Sequence, residues 1–305
     1  MMNDTRIRME YLERTLRLLF PGAGPPQARS LLPHRALPRR LAQRRWWHRV
    51  LGAPVMVPTG GETIEDHLSA VFGLPVRVTL HVRPARRVNR KPVLTAHGPD
   101  GPLAYVKIGD SPRARELIRA EAATLRMLAD TPLKHLHPPR LLYHGRWHGL
   151  EVLATAPLPM PRHRRRVPSE LIRVAVTEIA SLGEGEPYAW HGDFAPWNMA
   201  CGADGRLLLW DWERFDTGVP FGFDAVHLFF QRALRRMRPP VAARACVAQA
   251  LPTLAPYGLD AAQARLTACR YLIALADRHA ADGHQPFGPP ERWLTPVIDQ
   301  QEAVW

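Results

Sequence analysis

Apolar residues recur along this chain with two different periods, and the change between them predicts its organisation. Residues 3–20 repeat at helical spacing, with Ile7, Tyr11, Leu12, Leu16 and Leu19 near one face, and PGAGPP (21–26) ends the helix. ETIEDHLSAVFG (62–73) predicts a short helix with Thr63 as N-cap and Gly73 as its stop. The pattern then turns to partial alternation: VRVTLHV (76–82), KPVLTAH (91–97) and LAYVKIG (103–109) read as strands, with a GPDG turn (98–101) before the third. SPRARELIRAEAATLRMLAD (111–130) predicts a helix with Ser111 as cap, Pro112 at the first helical position, and Leu117, Ala120, Leu125 and Leu128 along one face. RLLYHGRW (140–147) and LEVLATAPL (150–158) predict two further strands. After these the chain turns helical, near 168–182, 223–237, 241–254, 260–281 and 290–303. The sum is an α+β chain: residues 1–61 form an extension, 62–158 a strand-rich part, and 159–305 a helical part.

Composition narrows the class. The 305 residues are 46% hydrophobic and 23% charged, ordinary for a globular protein with a sizeable core. No run approaches the roughly 18 apolar residues of a membrane span. The first twenty residues lack the apolar core of a signal peptide. Cys201, Cys246 and Cys269 form no metal-like cluster, and their odd number points to a reducing cytoplasm rather than a disulfide framework. The net charge of +13 lies in residues 1–200, which hold 30 Lys+Arg against 17 Asp+Glu, whereas residues 201–305 balance 11 Arg against 11 acids. Three stretches carry much of the excess: 33–50, 83–91 and 161–167. No zinc-finger, RNA-recognition or basic-zipper signature accompanies them, so they read as solvated charge ahead of a nucleic-acid interface. Trp46 and Trp47 are expected to dock on apolar surface.

One stretch does not follow from periodicity. HGDFAPWN (191–198) places His191 and Asp193 in a loop, with Asn198 five residues after the aspartate. GADGRLLLWDWE (202–213) then supplies a turn, a short apolar strand and Asp211. Singly, Asp and Asn are common turn formers. Together the spacing matches what phosphoryl transfer to a hydroxyl requires: a carboxylate beside the attacking hydroxyl, and oxygen ligands holding Mg²⁺ against nucleotide phosphates.

HGDFAPWN followed by DWE resembles the catalytic loop and metal motif of the aminoglycoside phosphotransferase/choline kinase family, over roughly residues 63–305 and most strongly over 189–228. The resemblance implies a two-lobed protein-kinase-like fold, with a small β-rich N-lobe and a larger helical C-lobe. ATP or GTP and Mg²⁺ would bind in the cleft, and a small-molecule hydroxyl (a sugar, an aminoglycoside-like or an amino-alcohol acceptor) would receive the phosphate. Asp193 becomes the base, His191 an organiser of its loop, and Asn198 and Asp211 the metal ligands. Lys107, central in its strand, would bind phosphates, with Glu121 steadying its ammonium and Glu116 as the reserve candidate. Glu213 would reach the metal through water or pair with an arginine. Asp224 is expected as a helix cap, and residues 153–156 as the link meeting the adenine.

The resemblance departs from protein kinases in the loop RPARRVNRKP (83–92), which has no glycine; Asn89 and the backbone of residues 87–90 are its candidates to approach the phosphates. Polycationic aminoglycosides call for an acidic cleft, and the neutral 201–305 region does not advertise one. The acceptor is therefore expected to be a neutral or anionic sugar, an amino alcohol or a natural-product hydroxyl. Two rival readings stand beside this one. A non-catalytic nucleotide-binding or scaffold protein on the same fold is the first. A protein kinase is the second, weakened because no D-F-G, A-P-E or activation segment follows Asp211.

Overall fold

The computed structural model describes residues 4–30, 54–81, 90–161, 166–183, 187–283 and 287–297. Trp46, Trp47, Asn89 and most of the three basic stretches lie outside these residues. The chain divides into two compact units, 1–119 with 141–157, and 120–140 with 158–305. The first is strand-rich and the second helix-rich, the mixed α+β composition expected from the patterning. Among the described residues no helix is long and apolar enough to cross a membrane.

In the first unit, β3 (Arg77–His81), β4 (Val93–Gly98), β5 (Gly101–Gly109), β7 (Leu141–Trp147) and β8 (Leu150–Thr155) form an antiparallel sheet of order β3-β4-β5-β8-β7. The β4–β5 hairpin closes by pairing Gly98 with Gly101, whose φ of +121° only glycine adopts readily. Strand alternation puts Val78, Leu80, Leu94, Ala96, Ala104, Val106, Ile108, Val152 and Ala154 into one core. β8, flanked on both edges, is buried along its whole length.

The described part of the N-terminal extension shares this core. It supplies α1 (Asp4–Leu19) and a two-stranded ribbon of β1 (Gln27–Ser30) and β2 (Pro54–Val57). Leu12, Leu16, Leu19, Phe20, Val55 and Val57 pack with the sheet residues. The helix α2 (Ile64–Phe72) starts as expected: Thr63 and Asp66 form a reciprocal capping box, and Gly73 ends the helix in the left-handed conformation. α3 (Pro112–Ala129) is capped by Ser111, whose Oγ accepts from Ala114 N–H at 3.3 Å.

The second unit contains short strands among helices. These are β6 (Leu136–His137), β9 (Tyr188–Trp190), β10 (Met199–Cys201), β11 (Leu207–Leu209) and β12 (Asp216–Val219), with α4 (Ser169–Ala180), α5 (Phe223–Leu234), α6 (Pro239–Ala248), α7 (Ala250–Leu254) and α8 (Ala261–Ala281). The single helix expected over 241–254 breaks at Gln249, because Pro252 lacks an N–H and its ring clashes with the carbonyl four residues before. The helix expected over 290–303 begins instead as a 3₁₀ turn, Pro290–Arg292, and its residues beyond 297 lie outside the described chain. β6 is held near α4 by Glu178, which accepts from the backbone N–H groups of Lys134 and His135. His135 then accepts from Leu207 N–H at 2.7 Å, adding β6 as a third strand beside β11.

Candidate active site

β10 and β11 form the expected hairpin, pairing Met199 with Leu209 and Cys201 with Leu207. Its turn is set by Gly202 N–H donating to Arg206 C=O at 2.8 Å, with Gly205 at φ +80°. Leu207, Leu208 and Leu209 are fully buried, so the apolar lead into Asp211 is a core strand. The pairing continues past the strands, since Trp210 N–H donates to Asn198 C=O at 3.0 Å. Asp211 therefore follows directly after the residue bonded to Asn198. It sits at φ +70°, uncommon for a residue with a Cβ though aspartate adopts it more readily than most.

The preceding loop is fixed at its backbone. His191 and Gly192 donate their N–H groups to the Asp224 carboxylate, at 2.7 and 3.3 Å. Asp224 is thus no helix cap. Gly222 occupies the N-cap position of α5 without a side-chain bond, and the Asp224 side chain reaches to the loop instead. Burial pushes the Asp224 carboxyl up to about 7 although both backbone N–H groups favour its charged form. Gly192 adopts φ +76°, and a Cβ there would stand 2.1 Å from the Arg214 carbonyl oxygen. That close approach is the physical reason for a glycine between His191 and Asp193. Arg278 of α8 donates to the Gly192 carbonyl and lies over the Trp190 ring, 5.2 Å from its centroid.

Asp193 is held by its side chain as well. Asn198 Nδ2 donates to Asp193 Oδ2 at 2.8 Å and to its backbone carbonyl at 3.0 Å, which leaves Asn198 Oδ1 as the amide's acceptor atom. His227 Nε2 meets Asp193 Oδ1 at 3.3 Å. Burial works against the Asp193 charge, as does Asp211, but the His227 bond and the Arg278 charge outweigh them and hold the carboxyl below its ordinary value. The side chain retains 33% exposure. An ionised carboxylate with one open side is the form a general base needs.

His191 has no such opening. It is fully buried, and burial lowers its pKa to about 4, against the pull of Asp193 and Asp211. Its Nδ1 accepts from Asp193 N–H at 3.1 Å. A neutral, enclosed ring used as a backbone acceptor shapes the loop and is poorly suited to proton transfer.

Three carboxylates gather near the hairpin end. Oxygens of Glu121, Asp211 and Glu213 all lie within 4.8 Å of one another. Glu121 is buried, whereas the reserve candidate Glu116 is 64% exposed and paired with Arg113 at 2.8 Å. The Glu121 carboxylate, expected to steady the Lys107 ammonium, thus lies with Asp211 and Glu213 in the second unit. All-oxygen donors of this kind suit a hard divalent cation such as Mg²⁺. Lys107 lies half-buried at mid-strand in β5, registered between Val93 and Leu153, in the first unit. Asn89 lies outside the described residues.

Sequence reasoning missed His227, Tyr271 and Arg278. One signal was present: in FDAVHLFF, His227 follows Asp224 by three residues, a helical spacing that puts both on one face. Tyr271 and Arg278 had no comparable signal, because they come from a helix far along the chain from the loop they serve.

No protein-family model matches the chain, and no curated protein matches it in sequence. In structure it is similar to a candidate fructosamine-3-kinase from Haemophilus somnus 129PT, at 12% identity and a TM-score of 0.49 over 78% of this chain and 96% of that one. It is also similar to monomeric WbdD, at 18% identity and TM-score 0.33, covering 58% of this chain and 44% of that one. A third similarity is to the Mycobacterium tuberculosis PknI kinase domain, at 18% identity and TM-score 0.32, over 59% and 90% of the two chains. Likenesses this distant do not decide what the chain does; its side chains have to.

Proposed function

We propose that this chain is a kinase-like phosphotransferase that moves the γ-phosphate of ATP or GTP to a hydroxyl of a small molecule. The observation that carries the reading is Asp193: an ionised, partly open carboxylate bonded to Asn198, on a loop rigidly tied at its backbone. As the acceptor oxygen bonds to the γ-phosphorus and the bond to the leaving nucleoside diphosphate breaks, the hydroxyl proton passes to the Asp193 carboxylate. Asn198 keeps the carboxylate plane from rotating, and Asp224 and Arg278 keep its loop from drifting.

Asn198 and Asp211 would hold Mg²⁺, with Glu121 and Glu213 beside them, a role supported by the convergence of the three carboxylates. When bound, the ion supplies charge neutralisation for the transferring phosphate. Lys107 is the proposed phosphate-binding cation and Asn89 the proposed contact from the cover loop. Trp197, 46% exposed and four residues from Asp193, offers an aromatic surface on the same loop for an acceptor with a flat apolar face.

The test is a metabolite-pool screen with γ-labelled ATP, comparing wild type with Asp193→Asn, followed by identification of the labelled product. The variant should lose about 10²- to 10⁴-fold in turnover, with nucleotide binding nearly intact. Near-wild-type turnover in the variant defeats the assignment. Nucleotide binding with no transfer to any member of the pool favours a non-catalytic nucleotide-binding protein instead.

A further inference from the structure

Two buried polar side chains stand behind Asp193. His227 of α5 and Tyr271 of α8 are both wholly enclosed. The Tyr271 hydroxyl lies 3.0 Å from His227 Nδ1, and His227 Nε2 lies 3.3 Å from Asp193 Oδ1. Around them are apolar rings: Trp190, Phe223 and Phe230 each face Tyr271 edge-on. Burying two polar groups in such surroundings costs free energy unless each bond is made, so an apolar pair would serve packing better.

The direction of each bond follows from chemistry. The ionised Asp193 carboxylate can only accept, so the His227 nitrogen that faces it, Nε2, carries the proton. Burial holds the His227 ring neutral, against the pull of Asp193 and with Arg278 acting in the same sense as burial. A neutral ring with its proton on Nε2 accepts at Nδ1, so the Tyr271 O–H donates there. Asn198 holds the other carboxylate oxygen, Oδ2. Among the described residues, the charged and titratable groups around these three side chains are His191, Asp211, Arg278, Asp224 and the Cys246 thiol. The described hydrogen bonds give Oδ1 no other side-chain donor than His227.

We propose that Tyr271 and His227 form a positioning relay that aims Asp193 at the acceptor hydroxyl. Tyr271 steadies the His227 tautomer, and His227 locks the torsion of the carboxylate so that its open lone pairs face outward. Asp224 and His227 lie one helical turn apart on α5. That helix thus holds the loop twice, by its backbone through Asp224 and by its base through His227. The inference rests on the reading of Asp193 as the base.

The experiment has two arms. In the first, histidine-selective ¹⁵N NMR of the full chain should show His227 as the neutral Nε2–H tautomer, with its Nδ1 resonance displaced in Tyr271→Phe. An imidazolium or an Nδ1–H tautomer overturns the relay. This arm needs no activity, so it stands or falls separately from the base assignment, which fails if Asp193→Asn retains turnover. In the second, γ-phosphate transfer from MgATP into the metabolite pool is measured for His227→Leu, His227→Gln and Tyr271→Phe. His227→Leu should lower kcat about tenfold or more, with KM for ATP unchanged and the fold retained. His227→Gln, whose amide can donate to Asp193 and accept from Tyr271, should recover much of the loss. Tyr271→Phe should lower kcat a few-fold alone and add nothing in the His227→Leu background. Equal kcat in the Leu and Gln variants, or independent losses in the double variant, overturns the proposal.

Discussion

The two units hold their shapes by different physics. In the first, β3, β4, β5 and β8 send alternate apolar residues into one core, and almost any sequence with that alternation and enough volume would do the same. In the second, the loop of residues 191–198 has no period at all. It is held by single bonds between specified atoms: two backbone N–H groups on Asp224, one carbonyl on Arg278, and one carboxylate on Asn198 and His227. The contrast teaches that a collective core tolerates substitution gradually, whereas a clamped loop should fail one contact at a time and in function before stability.

Gly192→Ala attacks that contrast most directly. A methyl group 2.1 Å from the Arg214 carbonyl forces the loop to move, and turnover should fall by about 10²-fold or more. Thermal melting should shift far less than a core truncation does; a variant with wild-type kcat would show that the loop is softer than its bonds imply. Ile108→Ala is the converse experiment. It empties a fully buried position in the first unit's sheet and should cost about 2–5 kcal/mol in denaturant unfolding, while the Mg²⁺ dependence of the proposed transfer stays unchanged in folded protein.

Glu121→Gln and Glu116→Gln separate the two acids of α3. The first removes a buried charge beside Asp211 and Glu213 and should raise the Mg²⁺ needed for half-maximal turnover about tenfold. The second touches an exposed pair with Arg113 and should change stability by less than about 0.5 kcal/mol, with no change in Mg²⁺ dependence.

The last test is a pH slope. The folded state raises the Asp224 carboxyl from 3.8 to about 7, so between these values the folded protein binds the proton that the unfolded chain has released. Stability contributed by this group is therefore present below about pH 4 and lost as pH rises toward 7. Asp224→Asn, which cannot titrate, should flatten that part of the stability profile in denaturant titrations across pH; an unchanged slope would mean that other groups set it.

The strand and helix pattern was legible because burial imposes a period, and a period survives in a linear string. The Thr63 cap and the hairpin leading to Asp211 were legible for a related reason, since their partners are near in sequence. The break at Gln249 was missed although Pro252 was in view, because helical hydrophobic spacing continues across it.

What the sequence determined by itself was the α+β alternation of elements and a short polar string, Asp193, Asn198 and Asp211, at spacings that suit phosphoryl transfer. Tertiary structure alone decided which residues serve that string. It moved Asp224 from cap to clamp, gathered Glu121 and Glu213 with Asp211, and set His227 and Tyr271 behind the base. The reason is range. Local sequence encodes what a residue does to its own backbone and to neighbours a turn away, but a hydrogen bond between Asp193 and a side chain on a distant helix exists only once the packing of the core has brought the two together.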